Sequence, residues 1–84
     1  GHALALYDIG YAFEYGRGVE KDVEEAVAWY DESAAIECKY AQYKLGECYW
    51  YGIGVEEDRR LALEYYLKAY EQGYIKAGYG LVKC

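Results

Sequence analysis

The sequence predicts an all-α fold, an α-solenoid of antiparallel helix pairs that repeat every 36 residues and form about five helices. The first observation is a loop, because residues 15–22 recur as residues 51–58 with Tyr, both Gly, Val, Glu and Asp unchanged. The second is that the same offset runs three deep through the helix before each loop. It relates Ala5, Ala41 and Ala77, then Tyr7, Tyr43 and Tyr79, and then Ile9, Leu45 and Leu81. A fixed period of this size is typical of stacked helical units.

The 84 residues are predicted to form a single repeat domain. Repeat one covers residues 3–38, repeat two covers residues 39–74, and residues 75–84 supply the first helix of a third repeat. Stacking such units lets a short chain build one continuous core. The chain begins and ends within the same helix of the repeat, which predicts a segment of a longer array or a unit that associates end to end.

The first helix is predicted for residues 3–15, because its apolar residues recur at three- and four-residue steps. These residues are Ala5, Ile9, Ala12 and Phe13. Gly16 is expected to end the helix in a left-handed conformation, Gly18 to let the chain bend, and Val19 to hold the loop against the core.

The second helix is predicted for residues 23–35. Asp22 caps it by accepting hydrogen bonds from its free amide groups, and Glu25 is placed to complete a capping box. The buried stripe is expected to contain Val23, Ala26, Val27, Tyr30 and Ala34. Residues 36–39 are a short connection, and short connections make neighbouring helices antiparallel.

The second repeat follows the same plan. Its first helix is predicted for residues 40–51, with the buried stripe Ala41, Leu45, Cys48 and Tyr49. Gly52 and Gly54 form the second loop, and Asp58 caps a fourth helix that extends to about residue 72. That helix is expected to bury Ala62, Tyr66, Ala69 and Tyr70.

Charge and composition exclude several classes of function. The net charge is −6, and residues 1–42 hold nine acids against three bases. Nucleic-acid binding needs clustered Lys and Arg to neutralise phosphates, so nucleic acid is not the expected partner. The sequence contains no apolar run of about 20 residues and no signal-peptide pattern, which predicts no membrane span.

The three cysteines, Cys38, Cys48 and Cys84, match no disulfide or zinc framework. Buried free thiols are the expected state. Together with the lack of a signal peptide in this sequence, free thiols favour a cytoplasmic location.

The repeated residues also carry a family resemblance. In the second copy they are Ala41, Leu45, Gly46, Tyr49, Gly52, Gly54, Val55, Asp58, Ala62, Tyr65, Tyr66 and Ala69. In the first copy they are Ala5, Ile9, Gly10, Phe13, Gly16, Gly18, Val19, Asp22, Ala26, Trp29, Tyr30 and Ala34. This pattern resembles the Sel-one-like repeat (SLR) family, a relative of the tetratricopeptide repeat, and covers essentially the whole chain.

The resemblance implies a right-handed superhelix and a role as scaffold or adaptor that holds other proteins. Two positions depart from the family pattern, because Tyr70 replaces a common Ala and Val82 replaces a Gly. Cysteine-rich bacterial members close each repeat with a disulfide between two fixed positions. Those positions are Ala34 with Gln42 and Tyr70 with Gly78 in this chain, so it lacks that bond.

A partner-binding groove is predicted on the concave face, where the first helices of successive repeats expose their non-core residues. The candidate residues are Tyr7, Tyr11, Tyr40, Tyr43, Glu47, Trp50, Tyr51 and Tyr79, with Leu4, Glu14, Tyr15, Lys76 and Lys83 beside them. This groove is aromatic with a mildly acidic edge, and Tyr and Trp dominate binding hot spots. It would suit a protein or peptide with apolar and basic anchors. A packing role for the recurring tyrosines, and a carbohydrate ligand for the same surface, remain alternatives.

Catalysis is not expected. His2 is the only histidine and lies at the start of the chain, and Ser33 is the only serine, with no base near it in the pattern. Both Gly-x-Gly loops precede acid-rich helix starts that would repel phosphate. The sequence therefore predicts no cofactor and no metal site.

Overall fold

The computed structural model describes residues 2–78, which form four α-helices and no strand. These helices are α1 (His2–Tyr15), α2 (Val23–Ala35), α3 (Lys39–Tyr51) and α4 (Arg59–Glu71). Residues 77–78 begin a further helical turn. The all-α helical repeat architecture is confirmed. The predictions for Tyr79, Leu81, Val82, Lys83 and Cys84 lie outside the described residues.

Two helix hairpins, α1 with α2 and α3 with α4, stack through α2 and α3. Within each hairpin a tyrosine ring lies against a glycine of the facing helix. A Cβ atom added to Gly10 would lie 2.8 Å from the Tyr30 ring, and one added to Gly46 would lie 2.7 Å from the Tyr66 ring. Both tyrosines are completely buried. The glycines therefore let large rings fill the interior at close helix separation.

The core follows the predicted stripes of α2, α3 and α4. Fully or almost fully buried apolar residues include Ala26, Tyr30, Ala41, Leu45, Cys48, Ala62, Tyr66 and Ala69. Cys38 and Cys48 are buried free thiols, as predicted. Burial raises the pKa of the Cys48 thiol to about 12, so it is protonated and unreactive near neutral pH.

Both loops have the predicted geometry. Gly16, Gly18, Gly52 and Gly54 all adopt a positive φ, between 67° and 80°. The carboxylates of Asp22 and Asp58 each accept a hydrogen bond from the amide three residues later, at 3.1 Å. Each loop is therefore a helix stop, a bend and a cap.

The predicted capping box at Glu25 is wrong. It would require the Asp22 amide as donor, but that amide donates to the Phe13 carbonyl at 2.8 Å. The Asp58 amide donates to the Tyr49 carbonyl in the same way. A backbone bond to the end of the preceding helix thus takes the place that a Glu side chain would fill.

The predicted stripe of α1 is only partly buried. Ile9 is 38% exposed and Ala5 is exposed, whereas their counterparts Leu45 and Ala41 are completely buried. The reason is that α2 covers α3, but no described residue covers the same side of α1.

The first loop differs from the second for the same reason. Val19 is 42% exposed, so the prediction that it holds its loop against the core is wrong, whereas Val55 packs on the core. A Cβ atom on Gly54 would meet the Val23 carbonyl oxygen at 2.6 Å, while one on Gly18 would meet nothing within 4 Å.

Tyr70 is 49% exposed, so its predicted burial is also wrong. Its ring lies over Gly78, 3.2 Å from where a Cβ atom would be. At the equivalent pair in the first repeat, the side-chain Nε2 of Gln42 donates to the Ala34 carbonyl at 3.5 Å. The two positions that carry a disulfide in cysteine-rich relatives are thus joined here by an aromatic contact and by a hydrogen bond.

Candidate functional site

Six tyrosines form a continuous surface across both repeats, which we call the tyrosine face: Tyr7, Tyr11, Tyr15, Tyr40, Tyr43 and Tyr74. Ring centroids along this face are 4.7 Å apart for Tyr15 and Tyr11, 6.3 Å for Tyr11 and Tyr7, and 6.0 Å for Tyr7 and Tyr40. Tyr74 continues the series by edge contacts with Tyr40 at 5.1 Å and with Tyr43 at 5.3 Å. These separations are typical of interacting aromatic pairs.

Helix geometry explains the series. Tyr7, Tyr11 and Tyr15 are four residues apart on α1, so they lie on one side of the helix. Tyr40 and Tyr43 are three residues apart on α3, so they lie on one side of α3, beside the tyrosines of α1. The contact between Tyr7 and Tyr40 therefore joins the two repeats.

The tyrosine face lies directly over the core. Tyr7 is 5.6 Å from the buried Tyr30 ring, and Tyr43 is 5.7 Å from the buried Tyr66 ring. Tyr7 and Tyr43 are half-buried and pack against the two core clusters. Packing is thus one role of both residues, while their remaining exposed edges belong to the surface.

Lys44 crosses from α3 to the tyrosines of α1. Its ammonium group lies 5.7 Å from the Tyr11 ring centroid and 5.1 Å from that of Tyr15, within cation–π range. It donates to the Tyr15 hydroxyl at 3.1 Å and pairs with Glu14 at 3.5 Å. Burial alone would lower the pKa of Lys44, but the Tyr15 and Glu14 contacts outweigh it, so the pKa lies above its usual value.

Both predicted groove carboxylates have partners within the chain. Glu14 accepts a hydrogen bond from the Tyr30 hydroxyl at 2.6 Å, and Glu47 accepts one from the Tyr43 hydroxyl at 3.1 Å. Burial, reinforced by Glu47, raises the pKa of Tyr43 to about 12. Burial and the bond to Glu14 also place the pKa of Tyr30 well above its usual value.

Two further cationic side chains lie over rings of the tyrosine face. Arg17 lies 5.8 Å from the Tyr11 ring centroid and Lys39 lies 5.5 Å from that of Tyr40. With Lys44, three cations therefore accompany the two groove carboxylates. The excess of acids in the whole chain is not concentrated on this face.

Trp50 does not face the groove, so that prediction is wrong. It is only 8% exposed and packs in the second core cluster with Ala62 and Tyr66. Arg59 covers its ring at 4.4 Å from the centroid. Tyr51, in contrast, is 55% exposed at the end of α3. Tyr79 lies outside the described residues.

Sequence reasoning missed Lys44 and Tyr74. Neither follows the repeat, because Asp8 is the counterpart of Lys44 and Cys38 is the counterpart of Tyr74. No pattern in the sequence indicates that the Lys44 side chain reaches α1. Tyr74 directly follows the helix-ending Gly73, and no repeat position marks it as part of the groove.

Three openings on the surface of residues 2–78 bear on the site. One, of about 500 Å³, lies at the second loop and is lined by Tyr49, Val55 and three consecutive acids, away from the tyrosine face. A second, about 230 Å³, lies between α2 and α4 beside Asp31 and Tyr65. The third, about 210 Å³, adjoins the tyrosine face at Tyr40. Only the third of these openings lies next to the predicted groove.

Residues 2–78 contain neither a metal-binding cluster nor a membrane-spanning helix. No group of three or more His, Cys, Asp or Glu residues in this range could hold a metal ion. No helix in it has both the length and the apolar character needed to span a membrane.

Comparisons with known proteins agree with the repeat pattern. The family model described as Sel1 repeat matches residues 3–36 and 39–74. A Sel1 repeat protein from Oxalobacter formigenes is 39% identical, with a TM-score of 0.88, over 89% of this chain and 31% of that one. A protective antigen of uropathogenic Escherichia coli strains, which displays an SLR fold, is 36% identical with a TM-score of 0.84. That match covers 87% of this chain and 16% of the antigen.

The chain therefore spans about a third or less of the length of these two structures. A comparison with curated proteins gave no match.

Proposed function

This chain belongs to the Sel1 repeat family, and we propose that it is a scaffold unit whose tyrosine face holds a segment of a partner protein. Sel1 repeats mediate protein–protein interaction, and members are typically scaffolds without enzymatic activity. The single observation that supports this site is the unbroken series of tyrosine rings from Tyr15 to Tyr43. It crosses both repeats and so provides an extended surface.

The chemistry of this face suits a peptide. Tyrosines give large contact area at small entropic cost, and their hydroxyls keep the surface wettable when no partner is bound. Lys44 and its partners hold the rings of α1 in place, which reduces the ordering that binding would require. A rigid aromatic surface of this kind favours an apolar segment of an extended chain or helix.

A carbohydrate ligand is the alternative for the same surface. Sugar rings stack on open aromatic faces, but cations lie over the rings of Tyr11, Tyr15 and Tyr40. These cations leave fewer open ring faces, which favours the peptide over the sugar.

The test compares the wild-type chain with the double variant Tyr11→Ala and Tyr15→Ala. Random peptides displayed on phage are selected on the wild-type chain, and the enriched peptides are titrated calorimetrically. We expect the double variant to weaken binding by about tenfold or more, because truncated aromatic hot spots cost more than about 1 kcal/mol each.

Leu67→Ala is the matched control, since Leu67 is an exposed apolar residue of α4 at 47% exposure. It should leave binding unchanged, and circular dichroism should show the same helix content in all variants. Equal affinities of the double variant and the wild type would contradict the proposal. Binding of arrayed glycans without any enriched peptide would instead favour the carbohydrate alternative.

A further inference from the structure

A small opening adjoins the tyrosine face where the start of α1, the turn between α2 and α3, and the end of α4 meet. Its volume is about 210 Å³, below the roughly 300–1,000 Å³ of typical small-molecule sites. Its lining is apolar or aromatic at Ala3, Leu4, Cys38 and Tyr40, and polar at Glu37, Lys39 and Gln72, a polar side that we call the rim. The size therefore suits one inserted side chain rather than a cofactor or metabolite.

The opening continues the tyrosine face. Tyr40 lines it and also contacts the Tyr7 ring at 6.0 Å and the Tyr74 ring at 5.1 Å. Leu4 is 43% exposed on its wall. A segment that lies along the tyrosine face would thus pass directly beside this opening at Tyr40.

Glu37 adopts a backbone conformation that is unfavourable for its residue type. Its φ is +67°, and it is the only residue other than glycine in the described part of the chain with a positive φ. The equivalent turn after α4 has Gly73 there, with φ +88°. Glycine adopts this conformation freely whereas an L side chain does not, so the turn alone gives no reason for Glu. An unfavourable conformation kept at one residue points to a role for its side chain.

The carboxylate of Glu37 is available to a partner. Among residues 2–78 it forms no ion pair or hydrogen bond, and the residue is exposed. Lys39, on the same rim, is turned toward the Tyr40 ring at 5.5 Å. The rim therefore offers one carboxylate that no other group among residues 2–78 pairs with. Such a charge complements Lys or Arg.

We propose that this opening takes a large aliphatic side chain of the partner, and that Glu37 pairs with a Lys or Arg flanking that side chain. The proposal rests on the tyrosine face as the binding surface and adds an anchor and a charge preference to it. A buried anchor with a charged rim is the usual anatomy of a binding hot spot.

The test uses the peptides enriched on the wild-type chain. Their sequences should share a Leu, Ile or Met within two positions of a Lys or Arg. Glu37→Gln should weaken the best peptide about two- to fivefold, and the difference should shrink at high salt, since exposed ion pairs are weak and screened. Glu64→Gln, which removes an exposed carboxylate from the middle of α4, away from the opening, should have no effect.

Filling the opening tests the anchor independently of charge. Ala3→Leu should weaken the same peptide about tenfold or more by occupying the space, as hot-spot anchors do when blocked. Ala28→Leu makes the same change at an exposed position of α2 and should be neutral.

A third variant separates binding from folding. Glu37→Gly should raise the melting temperature, because it relieves the backbone, yet still remove the preference for basic peptides. This pair of results does not depend on whether Ala3→Leu folds.

The outcomes distinguish the two proposals. If Tyr11→Ala with Tyr15→Ala abolishes binding but the Glu37 and Ala3 variants bind as well as the wild type, the anchor proposal is overturned and the tyrosine face stands. Enriched peptides without a basic residue near an aliphatic one would also overturn it. If no peptide is enriched at all, both proposals fail together.

Discussion

Lys44 reaches from α3 to α1, where its ammonium group pairs with Glu14 at 3.5 Å and lies beside two tyrosine rings. Its side chain is only 14% exposed. A paired and hydrogen-bonded charge of this kind is sensitive to the loss of either partner, because the other would stay buried and unpaired. The repeat pattern could not predict it, since Asp8 occupies the equivalent position. Repeat equivalence predicts shared packing, but it carries no information about residues that differ between copies.

Stability should fall at alkaline pH because of the tyrosines. Burial, with a contribution from Glu47, raises the pKa of Tyr43 to about 12 from an ordinary 10.0. Between these values the unfolded chain releases the phenolic proton while the folded chain keeps it, so the unfolded state binds fewer protons. The free energy of unfolding is therefore fully maintained below pH 10 and falls toward pH 12, by up to about 1.4 kcal/mol per pH unit for such a group.

Urea denaturation at several pH values between 8 and 11.5 measures this decline. Tyr43→Phe keeps the ring but removes the phenol, so its stability should decline less steeply than that of the wild type. Identical slopes would show that Tyr43 does not ionise differently in the folded state.

The elements and their joints follow from the sequence because their signals are local. Glycine after an apolar stripe, and Asp before the next one, define helix ends through backbone chemistry that neighbours do not change. Asp22 and Asp58 accordingly cap α2 and α4 as predicted. The capping box failed because the competing donor bond, to the Phe13 carbonyl, comes from a helix end that the box motif does not consider.

Substitution of Gly52 tests the joint between α3 and α4. Its φ is +69°, while a Cβ atom there would meet its nearest neighbour at an ordinary 3.5 Å, so backbone strain is the main effect. We expect Gly52→Val to lower the free energy of unfolding by more than about 1 kcal/mol, since a β-branched residue is strained in the left-handed region.

Gly52→Asn is the control for this prediction. Asn tolerates the left-handed conformation better than Val, so it should lose less stability. Chemical denaturation of the wild type and the two variants measures these losses. Equal midpoints for the wild type and Gly52→Val would contradict the prediction that position 52 requires a left-handed backbone.

The candidate site was less predictable than the elements. Its tyrosines follow from helix spacing, and Tyr7, Tyr11, Tyr40 and Tyr43 do lie on one face. The repeat pattern predicts Trp50 in the groove because this residue lies outside the apolar stripe, yet it packs against Tyr66 inside the hairpin. Its counterpart Glu14 likewise contacts the buried Tyr30. The side chain at this position thus points toward the second helix of the hairpin. A prediction that assigns each helix a single buried stripe does not include such a contact.

Across the whole molecule, two copies of one pattern have unequal surroundings. Leu45 is completely buried in the core cluster that α3 shares with α2, whereas Ile9 is 38% exposed on α1. Nothing in the described chain covers that side of α1, and the predicted end-to-end association stays a prediction. Equivalent residues should therefore differ widely in their contribution to stability.

Alanine substitution measures this difference. Leu45→Ala should lower the free energy of unfolding by about 2–5 kcal/mol, because it leaves a cavity in a closed core. Ile9→Ala should lower it by less than about 1 kcal/mol, as exposed substitutions do. Thermal or urea unfolding of the dilute protein provides both values. Equal losses would mean that another copy covers α1 in solution, and repeating the measurement at several protein concentrations would show it.

The contact between Tyr7 and Tyr40 has one more consequence. These rings belong to different repeats, so a ligand bound across them is held by both repeats at once and only while they are stacked. By thermodynamic linkage, such a ligand stabilises the stacking of the repeats, and whatever tightens that stacking strengthens ligand binding by the same free energy. The stacking of the two repeats and the occupancy of the tyrosine face are in this way coupled through one free energy.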